Sequence, residues 1–301
     1  MRHLKREIQG IATKPCEKKM KQFAVLQLTG CAGCEVSLIN ADEWINEFEL
    51  VYMSLVTSAH SLEKVDVLLV SGSVQSDEDL YRLRRAVQKA DRVIAAGTCA
   101  ISGGVANLWH RIETRETVFG EERPRSVPRL LPDCRPVDRV VNVDLYLPGC
   151  PPTPELFMAA LFNPSEFKVA KTVCQECGRK KQKEMRPTHL IGLEHGEVLP
   201  DICLINQGYL CIGSFTRGGC HALCSRAGQP CVGCRGPSDT FIKKGSKEWI
   251  ETIKRVFSRL TDIPADEVEI ALRSPQLSLF LFQFSDYSQN ASGPKLNTEV
   301  L

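Results

Sequence analysis

Cysteine is the residue type whose spacing in this sequence most clearly suggests chemistry. The chain of 301 residues contains 14 cysteines, and the stretch at 219–234, GCHALCSRAGQPCVGC, holds four of them. Most of the others also occur in short groups. Clustered cysteines form disulfides in oxidising compartments, or they bind zinc or iron–sulfur clusters. The function of the protein depends on which of these three the cysteines form.

The overall composition and the start of the sequence indicate the compartment of the protein, and the compartment favours metal binding over disulfides. The formal net charge is only +2, so no overall charge directs the chain towards nucleic acid or an anionic membrane. The sequence contains no apolar run long enough to span a bilayer, and its basic start lacks the apolar segment of a secretion signal. We therefore expect a cytoplasmic protein, and disulfides are rare in the cytoplasm.

The segment from residue 22 to residue 167 is predicted to form an α/β domain. Apolar runs alternate there with amphipathic segments, which predicts a parallel sheet with helices on both faces. The predicted strands are 23–28, 49–56, 65–72, 91–99 and 143–150. Ser76 is the predicted N-cap of one helix, and Thr153 with Pro154 is predicted to begin another.

A further helix is predicted after the first strand, in the segment EVSLINADEWINEFEL. Its apolar residues recur at helical spacing, which predicts that they share one buried face. These residues are Leu38, Ala41, Ile45 and Phe48.

Three cysteine motifs follow predicted strands. TGCAGC comes after the first strand, GTCAISGG after the fourth and PGCPP after the last. Because the carboxyl ends of parallel strands meet at one edge of a sheet, we expect the fold to bring their thiols together. The four thiols are Cys31, Cys34, Cys99 and Cys150.

The rest of the chain has a different character. Residues 168–240 carry eight cysteines and many glycines but little apolar periodicity, so bound clusters are expected to hold this segment together. Residues 1–21 form a basic tail, and residues 241–301 are predicted as a C-terminal helix followed by a polar tail. The predicted organisation is thus an α/β domain and a small, irregular cysteine-rich domain between two extensions.

The spacing of the cysteines favours iron–sulfur clusters over zinc. A zinc ribbon places two CxxC pairs about 15–20 residues apart, whereas the pairs that begin at Cys174 and Cys231 are separated by four further cysteines. Iron–sulfur clusters accept uneven spacing. Twelve of the 14 cysteines fall into three sets of four, which leaves Cys16 and Cys134 as free thiols.

No nucleophile–base pair or phosphate-binding loop accompanies these cysteines. The sequence therefore indicates an electron carrier, in which the clusters do the redox chemistry and the polypeptide sets their spacing and potential. A zinc-stabilised binding module without a redox role is the alternative from another class.

The motifs LTGCAGCEVSL, GTCAISGGV, LPGCPP, CQEC and CIGSFTRGGCHALCSRAGQPCVGCRGP resemble those of the small subunits of nickel–iron hydrogenases. They are most similar to the cytoplasmic kinds, which include the gamma subunit of coenzyme F420-reducing hydrogenase, its methyl-viologen-reducing counterpart and the delta subunit of sulfhydrogenase. The resemblance covers roughly residues 22–240. It implies a flavodoxin-like domain with one cluster, then a smaller domain with two.

The resemblance also implies a ligand set for each of three 4Fe–4S clusters. The proximal set is Cys31, Cys34, Cys99 and Cys150; the medial set is Cys220, Cys224, Cys231 and Cys234; the distal set is Cys174, Cys177, Cys203 and Cys211. In many periplasmic relatives proline replaces the residue matching Cys224, and the medial cluster there has three irons.

The implied partners are a large subunit that holds the nickel–iron centre and an electron-acceptor subunit. The acceptor subunit would be a flavoprotein or a protein linked to F420, NAD(P) or heterodisulfide reductase. An iron–sulfur subunit of the complex I kind is the nearest rival, since it shares the fold and the proximal site. It typically has two adjacent cysteines in place of the spaced Cys31 and Cys34, and it lacks the eight-cysteine domain.

Overall fold

A computed structural model describes residues 20–104, 127–164, 171–192, 194, 197–242 and 249–273. Its strands are β1 (Lys21–Gln27), β2 (Phe48–Met53), β3 (Val67–Ser71), β4 (Val74–Ser76), β5 (Val93–Ala96), β6 (Leu130–Arg135) and β7 (Leu145–Leu147). Five of them form a parallel sheet in the order β2-β1-β3-β5-β7. This is the doubly wound order of flavodoxin-like folds, so the predicted α/β class is confirmed. Strands β4 and β6 form a separate antiparallel pair that the sequence patterns did not predict.

The described residues form helices of four to twelve residues. They are α1 (Gly33–Ile39), α2 (Asp77–Val87), α3 (Gly97–Ser102), α4 (Pro154–Phe162), α5 (Val173–Cys177), α6 (Leu223–Arg226), α7 (Asp239–Ile242), α8 (Trp249–Leu260) and α9 (Ala265–Arg273). None of these helices has both the length and the apolarity needed to cross a bilayer. The basic tail to residue 19, Cys16 and the polar C-terminal tail lie outside the described residues.

The helix predicted after β1 is shorter than its apolar spacing suggested. Helix α1 ends at Ile39, a 3-10 turn follows at Glu43–Asn46, and Phe48 already begins β2. Ile45 is 56% exposed, so the prediction that it lies on a buried helical face was wrong. The reason is tertiary: the Phe48 ring packs edge-on against Phe23, 5.9 Å between ring centroids, which places this residue in the sheet.

The sheet separates two apolar cores. Phe23 and Val25 of β1 face the core shared with α1 and α4, whereas Ala24 and Leu26 face the core shared with α2. Strand β3 is buried along its whole length, as expected for a parallel strand covered on both faces.

A third core lies in the C-terminal part of the chain. Ile212 and Phe215 of the cysteine-rich segment pack with Phe241, Trp249 and Ile253. The helices after residue 240 thus supply apolar surface that the cysteine-rich segment does not have by itself.

The carboxylate of Asp79 connects the start of α2 to the end of β1. Its Oδ2 accepts hydrogen bonds from the Thr29 hydroxyl at 2.8 Å and from the backbone N–H groups of Gln75 and Ser76, both at 3.1 Å. Ser76 in turn caps the helix by accepting from the N–H of Asp79, which confirms the predicted N-cap.

Replacing Asp79 with alanine is expected to lower the free energy of unfolding by about 2 kcal/mol, because buried donors would lose their acceptor. The midpoint of thermal unfolding of the purified complex would measure the loss. Glu78→Ala is the matched control, since Glu78 lies on the same turn but is exposed. Equal losses in the two variants would contradict the assignment.

Candidate metal centres

The four thiols of the proximal set meet at one edge of the parallel sheet. Cys31 and Cys34 follow β1, Cys99 lies in α3 immediately after β5, and Cys150 follows β7. The Cys34 thiol lies within electrostatic reach of the other three. The fold therefore brings together the thiols that the strand order predicted would share an edge.

Burial raises the pKa of the Cys34 thiol far above its ordinary value, and the Glu35 carboxylate and neighbouring thiols add to the rise. Burial, together with the Cys99, Cys234 and Cys31 thiols, raises the pKa of Cys150 to about 12. Such thiols become thiolates only when a positive partner offsets the cost, and a bound metal is such a partner.

Glycines leave the room that these sulfur atoms occupy. Gly97 has φ +86°, and a Cβ added there would overlap the Cys34 sulfur. A Cβ at Gly104 would lie 3.1 Å from the Cys99 sulfur, and one at Gly33 would lie 3.3 Å from the Cys31 sulfur. The glycine backbone thus forms a cradle around the proximal sulfurs. Side chains at these glycine positions would fill the cradle.

The carboxylate of Glu35 is buried beside this cradle. Glu35 is 1% exposed, and its Oε1 accepts a hydrogen bond from the Ser71 hydroxyl at the end of β3. Among the described residues no donor reaches its Oε2. The side chain therefore lies inside the protein, close to the proximal set, and not on a surface open to a partner.

The four thiols of the distal set line one cavity. Helix α5 supplies two of them and the loop around a 3-10 turn supplies the others; they are Cys174, Cys177, Cys203 and Cys211. Burial raises the pKa of Cys211 to about 11, although N–H groups of Gly213 and Cys231 hydrogen-bond its sulfur and oppose the rise. Backbone donors of this kind help to set the potential of iron–sulfur clusters.

The medial set is gathered around Cys234. Burial raises the pKa of Cys234, and the Cys220 and Cys224 thiols lie near enough to contribute. Cys231 is within electrostatic reach of Cys234 and also of Cys211 in the distal set. Cys224 is exposed, whereas Cys231 is buried.

Neighbouring sets of thiols are joined by direct hydrogen bonds. The backbone of Cys150 in the proximal set hydrogen-bonds the Cys234 thiol of the medial set. At the other end of the medial set, the N–H of Cys231 donates to the Cys211 sulfur of the distal set at 3.4 Å. The order in space is therefore proximal, medial, distal.

Two arginines connect neighbouring sets. Arg235 donates to the carbonyl oxygens of Gly218 at 2.6 Å and Pro148 at 2.5 Å, and burial lowers its pKa to about 10. Arg179 donates to the carbonyl oxygens of Ser225 at 2.7 Å and Ile202 at 3.0 Å. These carbonyls lie within two residues of proposed ligands, so each arginine binds two ligand loops.

Cluster ligation fits the residues present. Each set offers four thiols, the proximal sulfurs lie in a glycine cradle, and the distal sulfurs line a shared cavity. In the part of the chain that the structure describes, no three side chains of histidine, cysteine, aspartate or glutamate are close enough to hold a single metal ion. Cys134 lies apart from these sets, where the Gln75 side chain donates to its sulfur at 3.5 Å.

Sequence reasoning missed the glycine cradle and the two arginines. Gly97 could have been found from its place as the first residue of the motif GTCAISGG, two residues before Cys99 at a strand end. Arg235 carried no such signal, because an arginine after a cysteine is ordinarily exposed.

Comparisons with known proteins give matches over most of the chain. The family model described as NADH ubiquinone oxidoreductase, 20 Kd subunit, matches residues 31–163, the part that contains the proximal set. The chain is also similar to a subunit of the vhu F420-non-reducing hydrogenase of Methanococcus voltae. The two are 34% identical over 245 residues, which cover 75% of this chain and 85% of that protein.

A second relative and a solved structure extend the match. The delta subunit of sulfhydrogenase 2 of Pyrococcus furiosus is 31% identical over 262 residues, which cover 84% of this chain and 98% of that protein. An actinobacterial-type NiFe-hydrogenase chain from Ralstonia eutropha aligns with a TM-score of 0.52 at 18% identity, over 92% of this chain and 93% of that one. The structural match supports the fold.

Proposed function

Since the chain belongs to the family of hydrogenase small subunits that includes its relative in F420-non-reducing hydrogenase, we propose that it relays electrons between the hydrogen-converting site of a large subunit and an acceptor subunit. Three 4Fe–4S clusters, one for each set of four cysteines, would supply the redox chemistry. The observation that carries the proposal is the unbroken series of thiol sets, in which Cys150 adjoins Cys234 and Cys231 adjoins Cys211.

The polypeptide sets the conditions for electron transfer. Backbone N–H groups directed at Cys211 and Cys234 stabilise negative charge on the sulfurs, and such hydrogen bonds tune cluster potential. Partial or full burial of most of the sulfurs limits their contact with water, which also affects potential. The chain needs no catalytic side chain of its own for this role.

The proximal edge has the surface expected for docking a large subunit. Cys31 is exposed, and on the adjoining helix α1 Val36 is 53% and Ile39 43% exposed. A large subunit that holds the nickel–iron centre would cover these apolar side chains and bring its metal close to the proximal set. We place the resulting complex in the cytoplasm.

The acceptor subunit would bind at the distal end. Lys180, Lys181 and Lys183 are exposed there. Burial raises the pKa of the Cys174 thiol, and Lys181 lies near enough to oppose that rise. This surface suits an electron-accepting subunit. That subunit would be a flavoprotein or a protein linked to F420, NAD(P) or heterodisulfide reductase.

A complex I-like subunit is the second candidate, because the family model that matches residues 31–163 is described by that enzyme. That match covers the proximal set alone, whereas the eight further cysteines of the medial and distal sets lie beyond it. Hydrogen-dependent reduction of a viologen dye by the purified complex would favour the hydrogenase. Quinone reduction without hydrogen turnover would favour the rival.

The iron content of the complex tests the number of clusters. With four irons in each cubane, this chain should contribute about 12 iron atoms and as many labile sulfides, after the iron of the large subunit is subtracted. The measurement requires anaerobic purification through a tag on this chain, with mass spectrometry to identify the co-purifying subunits. About four iron atoms would leave only the proximal cluster, and zinc in place of iron would favour a binding module.

A further inference from the structure

Arg235 is buried at the junction between the medial and proximal sets. It follows the medial ligand candidate Cys234 directly, and only 1% of its surface is exposed. Its guanidinium reaches Gly218, which lies two residues before Cys220, and Pro148, which lies two residues before Cys150. One side chain therefore holds a loop of the proximal set against a loop of the medial set.

The guanidinium forms no direct ion pair with a carboxylate of the described residues. Its Nη2 has no hydrogen-bond acceptor among them. The Glu176 carboxylate lies within electrostatic reach of Arg235, but its Oε1 accepts a hydrogen bond from the Gly219 N–H at 2.6 Å, and no donor among the described residues reaches its Oε2. A buried charge without a direct ion pair is costly, so a further negative group beside Arg235 would stabilise it.

A second buried arginine shows the contrast. Arg217 is 7% exposed, and it forms an ion pair with Asp239 at 2.8 Å. The two arginines lie close enough for each charge to affect the other. The charge of Arg217 is therefore paired directly with a carboxylate of the protein, whereas Arg235 forms no such ion pair among the described residues and has only the more distant charge of Glu176 near it.

We propose that Arg235 is the counter-ion of the medial cluster and that its two carbonyl contacts fix the position of this cluster relative to the proximal one. The proposal rests on the proposed function, because it requires a cluster at the medial set. Four thiolates give a bound cluster net negative charge, and the thiols of Cys220 and Cys234 lie within electrostatic reach of Arg235. A positive charge beside a cluster stabilises its reduced form and thus raises its potential.

The test is a redox titration of the purified complex, followed by electron paramagnetic resonance, in three variants. Arg235→Gln removes the charge, and we expect the equilibrium constant for reduction of the medial cluster to fall at least tenfold, which is about 59 mV for a one-electron couple. The proximal and distal potentials should move less. Arg235→Lys retains the charge, so its medial potential should stay close to that of the parent.

Arg217→Gln is the matched control, since it removes a nearby buried guanidinium whose charge is already paired. Its medial potential should shift less than that of Arg235→Gln. An unchanged medial potential in Arg235→Gln would overturn the proposal, as would a fall in Arg235→Lys equal to that in Arg235→Gln. If Arg235→Gln assembles without medial iron, the titration of Arg235→Lys tests the proposal instead. A lower medial potential in Arg235→Lys would refute the role of the charge, because lysine retains it.

The parent complex separates this inference from the proposed function. A parent that contains iron for the proximal cluster only would refute the three-cluster relay itself. If the parent shows a medial signal but Arg235→Gln has the same medial potential, only the counter-ion proposal is refuted.

Discussion

Replacing Gly97 with alanine is expected to remove the proximal cluster and to leave the other two in place. The new methyl group would occupy the position of the Cys34 sulfur, so this thiol could no longer lie beside Cys31, Cys99 and Cys150. The chain should then hold about 8 iron atoms in place of about 12, by the rule of four irons per cubane. Hydrogen-dependent dye reduction should be lost, because the relay would have no entry point.

Gly178→Ala is the control for backbone strain. Gly178 has φ +76°, close to the +86° of Gly97, and also adjoins a ligand candidate, but a Cβ there would meet nothing within 4 Å. Both variants should lose about 1–2 kcal/mol from the left-handed backbone, whereas only Gly97→Ala should lose a cluster. Equal iron losses in the two variants would show that strain, and not contact with the Cys34 sulfur, is responsible.

Replacing Cys224 with proline is expected to convert the medial cluster from a four-iron to a three-iron form. Cys224 lies in the first turn of α6 (Leu223–Arg226), where proline is tolerated because the early N–H groups have no partner within the helix. The fourth iron would lose its thiolate, and the potential of the cluster should rise, since cluster type and charge set potential. Electron paramagnetic resonance of the oxidised protein should show a new three-iron signal.

The choice of cysteine can be checked against two other variants. Cys134→Ser should leave the spectrum unchanged, because Cys134 lies outside all three sets. Cys203→Ser should affect the distal cluster and leave the medial one intact. A medial three-iron signal in the Cys203 variant, or none in the Cys224 variant, would contradict the division of the eight cysteines between the two sets.

The sequence was most informative where local pattern and tertiary structure agree. Apolar runs marked the five parallel strands, and strand order then placed cysteines from distant parts of the chain at one edge. The pattern failed after α1, because Phe48 satisfies helical spacing but packs against Phe23 of the neighbouring strand. Strand β6 was missed because LLPDCR lacks a clear alternation, and its pairing with β4 depends on a long-range contact.

The cysteine-rich segment was the hardest to interpret from sequence. Its poor periodicity indicated that it buries little core on its own, and the core made of its own residues is small. Nothing in the sequence showed that Trp249 and Ile253 of α8 would pack on Ile212. The charge balance of Arg235 depends on which groups surround it after folding. The residues next to Arg235 in the sequence do not show which groups will surround it in the folded chain.

The junction between the two parts of the chain has a consequence for motion. Domains within one chain usually move relative to each other unless their interface is large and apolar. Here the contacts between them include Thr98, which donates to the Cys234 carbonyl at 2.5 Å, and Arg235, which binds Pro148. In the proposed relay, any hinge opening at this junction would widen the gap that electrons cross. We therefore expect the two parts to move together during turnover, and control over the rate of electron flow to act at the two ends, where we propose that partner subunits bind.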